Sequence, residues 1–262
     1  LDLHLLTKGL VSTRQQAQLL IRAGKVRDIN GQLLDKPGQE VNNELELRIE
    51  ALPQFVSRGG EKLLAALKAF PLNVKGRVCL DGGISTGGFT DCLLQNGATR
   101  VYGIDVGYGQ TAWTIRQDPR VVLKERTNLR RLSPDLLYGE KDDLPSLGVA
   151  DLSFISLKII LPSIKELLIP NEAEAIVLVK PQFEVGRNRV GKGGIVRDVS
   201  AHIDALKGVI DAAIKNKFIP KGLIASPIKG AAGNQEYLLW LDSKGISDLP
   251  SIEELVRSTL SN

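Results

Sequence analysis

The chain has 262 residues, 43% of them hydrophobic and 24% charged, which is enough to bury a full α/β core and to leave room for a small second domain. No apolar run approaches the roughly 20 residues of a membrane-spanning helix, and the first residues lack the basic start and apolar stretch of a secretory signal, so we expect a soluble protein. The net charge of +4 favours a nucleic-acid partner only weakly, while two histidines and two cysteines argue against a metal site and fit a reducing cytoplasm.

The first 36 residues carry a local excess of positive charge, with six basic against three acidic side chains. Ser12 is a good N-cap for a helix whose apolar positions Ala17, Leu20 and Ile21 recur at helical spacing and which Gly24 ends. A strand is predicted over 26–29, and the Asn-Gly pair at 30–31 predicts a tight hairpin turn. The returning strand is predicted over 33–41, with a second turn at the Pro-Gly pair 37–38.

The spaced residues of this segment resemble the S-four module, a small α+β RNA-binding domain named after a ribosomal protein. They read Ser-x-x-x-x-Ala-x-x-Leu-Ile-x-x-Gly-x-Val from position 12 to position 26, and Asn-Gly follows. The module would cover about residues 1–50. Because its basic face binds structured RNA in that family, the resemblance makes four side chains candidates for RNA contacts: Arg14, Gln15, Arg22 and Lys25. The alternative is a basic helix face that is only solvated.

A linker is predicted over 51–58, because Pro53 interrupts this segment and neither the helical nor the strand period continues through it. The second domain would then comprise residues 59–262. It begins with an amphipathic helix over 61–70, whose apolar stripe is formed by Leu63, Leu64, Leu67 and Phe70.

Strands and helices alternate through the rest of the chain. Helices are predicted notably over 157–168 and 200–216. Strands are predicted over 78–81, 100–105, 121–126, 148–153, 174–180, 218–227 and 236–242. This alternation predicts a Rossmann-like α/β fold, in which a mostly parallel seven-stranded sheet has helices on both faces.

A glycine-rich turn follows the first of these strands. Residues 81–90 read Asp-Gly-Gly-Ile-Ser-Thr-Gly-Gly-Phe-Thr, and glycine lets the backbone turn sharply and approach a ligand closely. The glycine spacing departs from the dinucleotide fingerprint, and Asp81 suits a cationic amine better than a pyrophosphate. Asp105, which ends the next strand, can accept both hydroxyls of a ribose. These features favour S-adenosylmethionine as cofactor; the alternative is a glycine turn with a helix-capping acid and no ligand.

Polar residues end two further strands. Asp151 follows Gly-Val-Ala, and Lys180 follows a fully apolar stretch and precedes a proline. Since ligands of such sheets lie at the carboxyl ends of the strands, the Lys180 ammonium is expected in a polar cavity there. The alternative is that Lys180 reaches water at the edge of the sheet.

Four residues fall in order and context like the Lys-Asp-Lys-Glu tetrad of the FtsJ-like ribose 2′-O-methyltransferases: Lys62, Asp151, Lys180 and Glu236. The surrounding motifs resemble the TlyA branch of that family, which joins an S-four module to this domain; among them are Ser-Arg-Gly-Gly-x-Lys at 57–62, Lys-Pro-Gln-Phe-Glu at 180–184 and Asn-Gln-Glu-Tyr at 234–237. The resemblance covers nearly the whole chain. It implies a class I S-adenosylmethionine-dependent methyltransferase that modifies cytidine ribose in 16S or 23S rRNA, or in both.

The resemblance also implies roles for the site residues. Lys180 would accept or guide the proton of the ribose hydroxyl, Asp151 would hold its ammonium, and Glu236 would orient Lys62 or the ribose. Asp81 and Gly83 would contact the methionine part of the cofactor, Asp105 the ribose and Asn128 the adenine. The matching glycine-rich motif adds four further cofactor candidates: Ser85, Gly87, Gly88 and Phe89.

Basic side chains outside the first domain are also candidates for RNA contacts. The loop 186–194 combines three bases with four glycines and is predicted to be a mobile clasp for RNA phosphates, or alternatively an exposed linker. The candidates are Arg58, Arg187, Arg189 and Lys192. Two other functions stay open: a haemolysin or pore-forming protein, a label that some TlyA relatives carry, and an inactive RNA-binding factor of ribosome assembly.

Overall fold

The computed structural model describes residues 1–50 and 53–261, so the first two positions of the predicted linker lie outside the described residues. The chain divides into two compact units, Leu1–Gln54 and Phe55–Asn262. Phe55 is only 3% exposed and packs in the core of the second unit. No helix of the described residues is both long and apolar enough to cross a membrane.

The first unit consists of two helices and a two-stranded antiparallel sheet around a small apolar core. Its elements are α1 (Asp2–Thr7), α2 (Arg14–Arg22), β1 (Val26–Asp28) and β2 (Leu47–Ile49). Helix α2 directs Ala17, Leu20 and Ile21 into the core, as its spacing predicts. The N-cap is Thr13 and not Ser12, because the Thr13 hydroxyl accepts the hydrogen bond from the Gln16 amide.

The predicted hairpin after β1 forms only in its first part. The 30–31 turn forms, and Gly31 takes a positive φ of 84°. Beyond it, Leu33 bridges Arg27, and the Leu34 amide donates to the Val26 carbonyl at 2.9 Å. The strand β1 also pairs with β2, from Val26 opposite Ile49 to Asp28 opposite Leu47. The return segment does not continue as a strand to residue 41, and Pro37 within it has no amide hydrogen to donate to a ladder, although Leu34 lies in the small core.

The second unit is built on a seven-stranded sheet. Its strands are β3 (Val78–Gly82), β4 (Arg100–Ile104), β5 (Val121–Lys124), β6 (Leu147–Ala150), β7 (Glu174–Val179), β8 (Ile219–Ala225) and β9 (Tyr237–Asp242). Their order across the sheet is β5-β4-β3-β6-β7-β9-β8. The pairs from β5 to β7 are parallel, and β9 is antiparallel to both of its neighbours. The predicted mostly parallel sheet is confirmed.

Helices cover both faces of this sheet, and each face has its own apolar cluster. The helices are α3 (Gly59–Ala69), α4 (Gly88–Gln95), α5 (Trp113–Arg116), α6 (Pro134–Leu137), α7 (Leu157–Leu167), α8 (Pro181–Glu184), α9 (Val199–Lys215) and α10 (Ile252–Leu260). Helices α3 and α4 pack over one cluster, and α7, α9 and α10 pack over the other. The prediction of a Rossmann-like α/β fold is confirmed.

Glycine permits a close approach between α3 and α4. A Cβ atom added at Gly88 would lie 2.2 Å from the Ser57 hydroxyl oxygen and 2.9 Å from the Gly60 nitrogen. Gly87, which caps α4, has a φ of 100°, a conformation that L-residues with side chains rarely adopt. The glycine pair therefore places the start of α4 directly against the start of α3, which carries Lys62.

Candidate active site

The carboxyl ends of the parallel strands bring the predicted polar residues to one edge of the sheet. Asp105 follows β4 directly, Asp151 follows β6 and Lys180 follows β7, while Asp81 is the penultimate residue of β3. In a parallel sheet these ends lie side by side, which is where the ligands of such folds bind. The expected clustering of acids and of one lysine is therefore present.

Asp81 is completely buried, and only one of its two carboxylate oxygens is satisfied. Its Oδ2 accepts a 2.7 Å hydrogen bond from the Thr90 hydroxyl, whereas its Oδ1 has no hydrogen-bond partner among the described residues. Burial, with smaller contributions from the nearby carboxylates of Asp151 and Asp105, raises the pKa of Asp81 to about 7, against the lowering effect of the Thr90 hydrogen bond. A buried carboxylate beside two others favours a cationic ligand.

A cavity of about 470 Å³ opens where β4 and β6 end. Its wall includes four of the predicted cofactor residues, Gly83, Ser85, Asp105 and Asn128. The Asp105 carboxylate accepts hydrogen bonds from the Ser85 amide at 2.8 Å and from the Gly107 amide at 2.7 Å. Pockets of this volume are typical of small-molecule cofactor sites.

Gly83 is required by the geometry of this cavity. Its φ is 85°, and an added Cβ would lie 2.7 Å from the Asp151 carbonyl oxygen. Any side chain at this position would push apart the two strand ends that form the wall.

The other predicted cofactor residues have structural contacts. Phe89 is 3% exposed and belongs to the core cluster beneath α3 and α4, and neither Phe89 nor the glycines 87 and 88 line the 470 Å³ cavity. The Asn128 side-chain oxygen accepts a hydrogen bond from the Arg130 amide and so caps the short 3₁₀ helix 129–131. The side-chain NH₂ group of Asn128 remains available to a ligand.

The tetrad forms two ion pairs. Lys62 Nζ lies 2.5 Å from Glu236 Oε2, and both side chains are nearly inaccessible to solvent. Lys180 Nζ lies 2.6 Å from Asp151 Oδ1, close but not aligned for a hydrogen bond, and it donates to the Ser153 hydroxyl at 3.1 Å. Glu236 was expected to orient either Lys62 or the substrate ribose, and in the structure it is paired with Lys62. Buried lysines need such partners, because an unpaired ammonium in a dry site is costly.

A second cavity, of about 700 Å³, contains all four tetrad residues in its wall. It shares four wall residues with the first cavity: Ser85, Asp151, Ser153 and Phe154. Phe154 is 92% exposed with a φ of 65°, and its ring lies 5.3 Å from the ring of Phe183. The two cavities therefore adjoin at Asp151, so that molecules bound in each would approach one another beside Lys180.

The basic loop 186–194 is attached to the rest of the second unit at two points. Arg189 forms ion pairs with Asp198 and Asp204, at 3.0 and 2.5 Å. The buried Asn234 donates to the Gly194 carbonyl at 2.8 Å and accepts from the Val196 amide at 2.9 Å. Arg187, Lys192 and Arg58 are exposed, whereas the charge of Arg189 is already matched by carboxylates.

Within the first unit, the RNA candidates lie on or just after α2. Gln15 and Arg22 line one shallow depression on the exposed face of this helix. The Arg14 side chain is 58% exposed, and the buried Asp2 holds its Nε at 2.9 Å. Lys25 faces Glu50 at 3.9 Å.

Several residues of the site were not among the candidates predicted from the sequence. Thr90 holds Asp81, Ser153 holds Lys180, Asn234 holds the basic loop, and Gln182 lines the larger cavity. Thr90, Gln182 and Asn234 stand within the quoted motifs, and that proximity was the only available signal. The contacts of Ser153 and Asn234 join residues 27 and 40 positions apart in the chain.

Comparison with known proteins agrees with this geometry. The FtsJ-like methyltransferase family matches residues 55–243, and the S4 domain, the S-four module above, matches residues 1–47. The chain is 46% identical over 257 residues to a Mycobacterium tuberculosis protein named 16S/23S rRNA (cytidine-2′-O)-methyltransferase TlyA, with 94% of each chain covered. It is also 40% identical to a Brachyspira hyodysenteriae protein named Hemolysin A, over 91% of this chain and 97% of the relative.

A solved structure from Streptococcus thermophilus, described as a candidate haemolysin, is 42% identical and superposes with a TM-score of 0.74 over 99% of this chain and 94% of its own. A solved structure from Listeria monocytogenes, described as a candidate S-adenosylmethionine-dependent methyltransferase, shares the fold of the second unit, with 15% identity and a TM-score of 0.51 over 72% of this chain and 99% of its own. The family match covers most of the chain and includes every tetrad residue. The chain belongs to the FtsJ-like methyltransferase family and carries an S4 domain in residues 1–47.

Proposed function

We propose that this protein is an S-adenosylmethionine-dependent 2′-O-methyltransferase that modifies cytidine in ribosomal RNA. The observation that carries the proposal is the pair of adjoining cavities, one of cofactor size with acidic surroundings and one whose wall contains the Lys-Asp-Lys-Glu tetrad. Such an arrangement suits the transfer of a small group from a cofactor in the first cavity to a substrate in the second.

The residues of the first cavity fit S-adenosylmethionine. This cofactor supplies a methyl group bound to a sulfonium sulfur, and the sulfur departs readily as a neutral thioether when the methyl group is transferred. Asp105, in the cavity wall, would bind the ribose hydroxyls. Asp81 is completely buried two positions before Gly83 and is not itself part of the wall; its unsatisfied oxygen would bind the ammonium of the methionine part. The cluster of three carboxylates favours a ligand that bears positive charge.

The residues of the second cavity fit a ribose hydroxyl. A neutral hydroxyl is a weak nucleophile, so the site must align it and take its proton. In its neutral form the Lys180 amine has a lone pair for that proton, and the Asp151 carboxylate 2.6 Å away would stabilise the ammonium that results. With the cofactor bound, the oxygen would be placed to form its bond to the methyl carbon as the carbon–sulfur bond breaks. Glu236 holds Lys62 at the wall of the same cavity.

Ribosomal RNA is the substrate that the relatives favour. The Mycobacterium tuberculosis protein is named for cytidine 2′-O-methylation of 16S and 23S rRNA, and the Campylobacter jejuni relative, 36% identical over 74% of both chains, for 23S rRNA alone. The exposed bases of α2 in the S4 domain add a surface suited to RNA phosphates. A ribosomal substrate would place the protein in the cytoplasm.

The test is methyl transfer to separated ribosomal subunits. Purified protein is incubated with methyl-labelled S-adenosylmethionine and with small and large subunits from a strain that lacks the modification. We expect label in 2′-O-methylcytidine. We also expect Lys180→Ala to lower kcat by roughly 10²- to 10⁴-fold, because it removes the proton acceptor, and to leave cofactor affinity nearly unchanged. Lys244→Ala is the matched control, since Lys244 pairs with Glu172 beyond the opposite end of β9.

The outcomes separate the competing functions. A Lys180→Ala variant that keeps most of the activity would refute its role, even if the wild type labels RNA. Cofactor binding without label on subunits, free rRNA or tRNA would favour the inactive assembly factor. Lysis of erythrocytes by purified protein, suppressed by osmotic protection, would favour the haemolysin named among the relatives.

A further inference from the structure

Gln182 has a buried polar atom that the methyl-transfer chemistry described above does not use. The residue lies on α8, two positions after Lys180, and belongs to the wall of the 700 Å³ cavity. Its Oε1 is buried and has no hydrogen-bond partner among the residues that the structure describes. A buried acceptor without a donor is costly, so an orphan at the wall of a substrate cavity points to a ligand that supplies the donor.

The backbone of α8 is held firmly in this position. At its start, Lys180 is bound to Asp151 and to Ser153. At its end, the Glu184 carboxylate accepts hydrogen bonds from the Ser156 hydroxyl at 2.5 Å and from the Leu157 amide at 2.7 Å. The orphan oxygen is therefore carried by a fixed element at the site and not by a free loop.

Gln182 and Lys180 occupy different positions on the same helical turn. Residues two positions apart on a helical turn do not face each other, so Gln182 and Lys180 would contact different parts of one ligand. If Lys180 serves the ribose hydroxyl, Gln182 is left for the base. The aromatic rings of Phe154 and Phe183, in contact at 5.3 Å, form part of the wall of the same cavity.

We propose that Gln182 binds the base of the target nucleotide, with its Oε1 accepting a hydrogen bond from an exocyclic amine. This assignment rests on the proposed function. Cytosine has such an amine, whereas uracil presents a carbonyl oxygen at the same position. To bind uracil there, the amide would have to turn and bury its own NH₂ group where Oε1 lies. Gln182 therefore contributes to the choice of cytidine over uridine.

The test compares Gln182→Leu, which removes the acceptor at similar size, with Gln182→Glu, which keeps an acceptor oxygen. Methylation of ribosomal subunits gives kcat and KM, and S-adenosylhomocysteine titration gives the cofactor affinity. We expect Gln182→Leu to lower kcat/KM about tenfold or more, mainly through KM, Gln182→Glu to recover part of the loss, and cofactor affinity to stay constant. The Tm of Gln182→Leu should equal or exceed that of the wild type, because leucine leaves no buried polar atom without a hydrogen-bond partner.

A substrate with a different target base tests directly whether Gln182 contributes to base selection. Once the methylated nucleotide is mapped, subunits carrying uridine in its place are prepared. The wild type should discriminate against uridine about tenfold or more, and Gln182→Leu should discriminate little. Wild-type kcat/KM in Gln182→Leu, equal losses on both bases, or a mapped target without an exocyclic amine would overturn the assignment while methyl transfer itself stands. If the wild type labels no RNA, the proposed function falls, and this assignment falls with it.

Discussion

Replacement of Asp81 by asparagine tests whether its buried carboxylate binds the cofactor ammonium. In the protein without ligand, burial raises the pKa of Asp81 from 3.8 to about 7. The ammonium requires the ionised form, so cofactor affinity should rise with pH until Asp81 is fully ionised. The ionised fraction at each pH then sets the apparent affinity.

The magnitude follows from this pKa. At pH 6 only about one molecule in eleven has an ionised Asp81, and at pH 7.5 about three in four do. The Kd for the cofactor should therefore be about eightfold lower at pH 7.5 than at pH 6. Asp81→Asn has no such titration, so its Kd should be weaker and flat across the range.

Calorimetric titration with S-adenosylhomocysteine measures this dependence, since that product keeps the ammonium and cannot react. Asp118→Asn is the matched control, because Asp118 pairs with Arg120 just before β5, away from the strand ends that form the site. A wild-type Kd that is constant between pH 6 and pH 7.5, or an Asp81→Asn variant with the wild-type pH dependence, would refute the reasoning.

The same pKa makes Asp81 unfavourable for stability. Because the pKa is higher in the folded state than in the unfolded state, the folded protein holds a proton that the unfolded chain has released. The free energy of unfolding should fall as pH rises from about 4 to about 7, and above pH 7 the loss is about 4 kcal/mol. Without cofactor, Asp81→Asn should therefore raise the Tm at pH 7.5 while it weakens cofactor binding; a lower Tm would contradict this account.

Two further substitutions test the packing of the site. Gly88→Ala should lower the free energy of unfolding by about 1–3 kcal/mol in urea denaturation, because its Cβ would lie 2.2 Å from the Ser57 oxygen. The control Gly208→Ala, within α9 and with no contact shorter than 3.7 Å, should be neutral or stabilising. Glu236→Gln should lower the free energy of unfolding by about 3 kcal/mol and reduce kcat, because Lys62 loses its buried counter-charge. Wild-type stability in Gly88→Ala or Glu236→Gln would show that the site relaxes around the change.

The sequence was most informative where the local pattern and the fold agree. The apolar segments that precede Asp105, Asp151 and Lys180 are strands because buried parallel strands need continuous apolar runs, and the polar residue after each run marks the carboxyl edge. The alternation of these strands with helices was sufficient to predict the sheet and the edge at which the candidate site lies.

Contacts between distant segments were not predictable in the same way. The strand β1 pairs with the nearby hairpin segment and also with β2, and the second pairing joins segments between which no local pattern runs. Likewise, the glycine-rich motif indicated a ligand, but it did not distinguish Gly83, which lines the cavity, from Gly88, which serves helix packing.

The sequence by itself determined the class of fold, the order of its elements and the residue types available at the strand ends, since these depend on periodicity and turn chemistry along the chain. Only the tertiary structure decided the ion pairs of Lys62 with Glu236 and of Lys180 with Asp151, the unsatisfied oxygens of Asp81 and Gln182, and the junction of the two cavities. These features depend on burial and on contacts between segments up to 174 residues apart, and a local pattern contains no record of either.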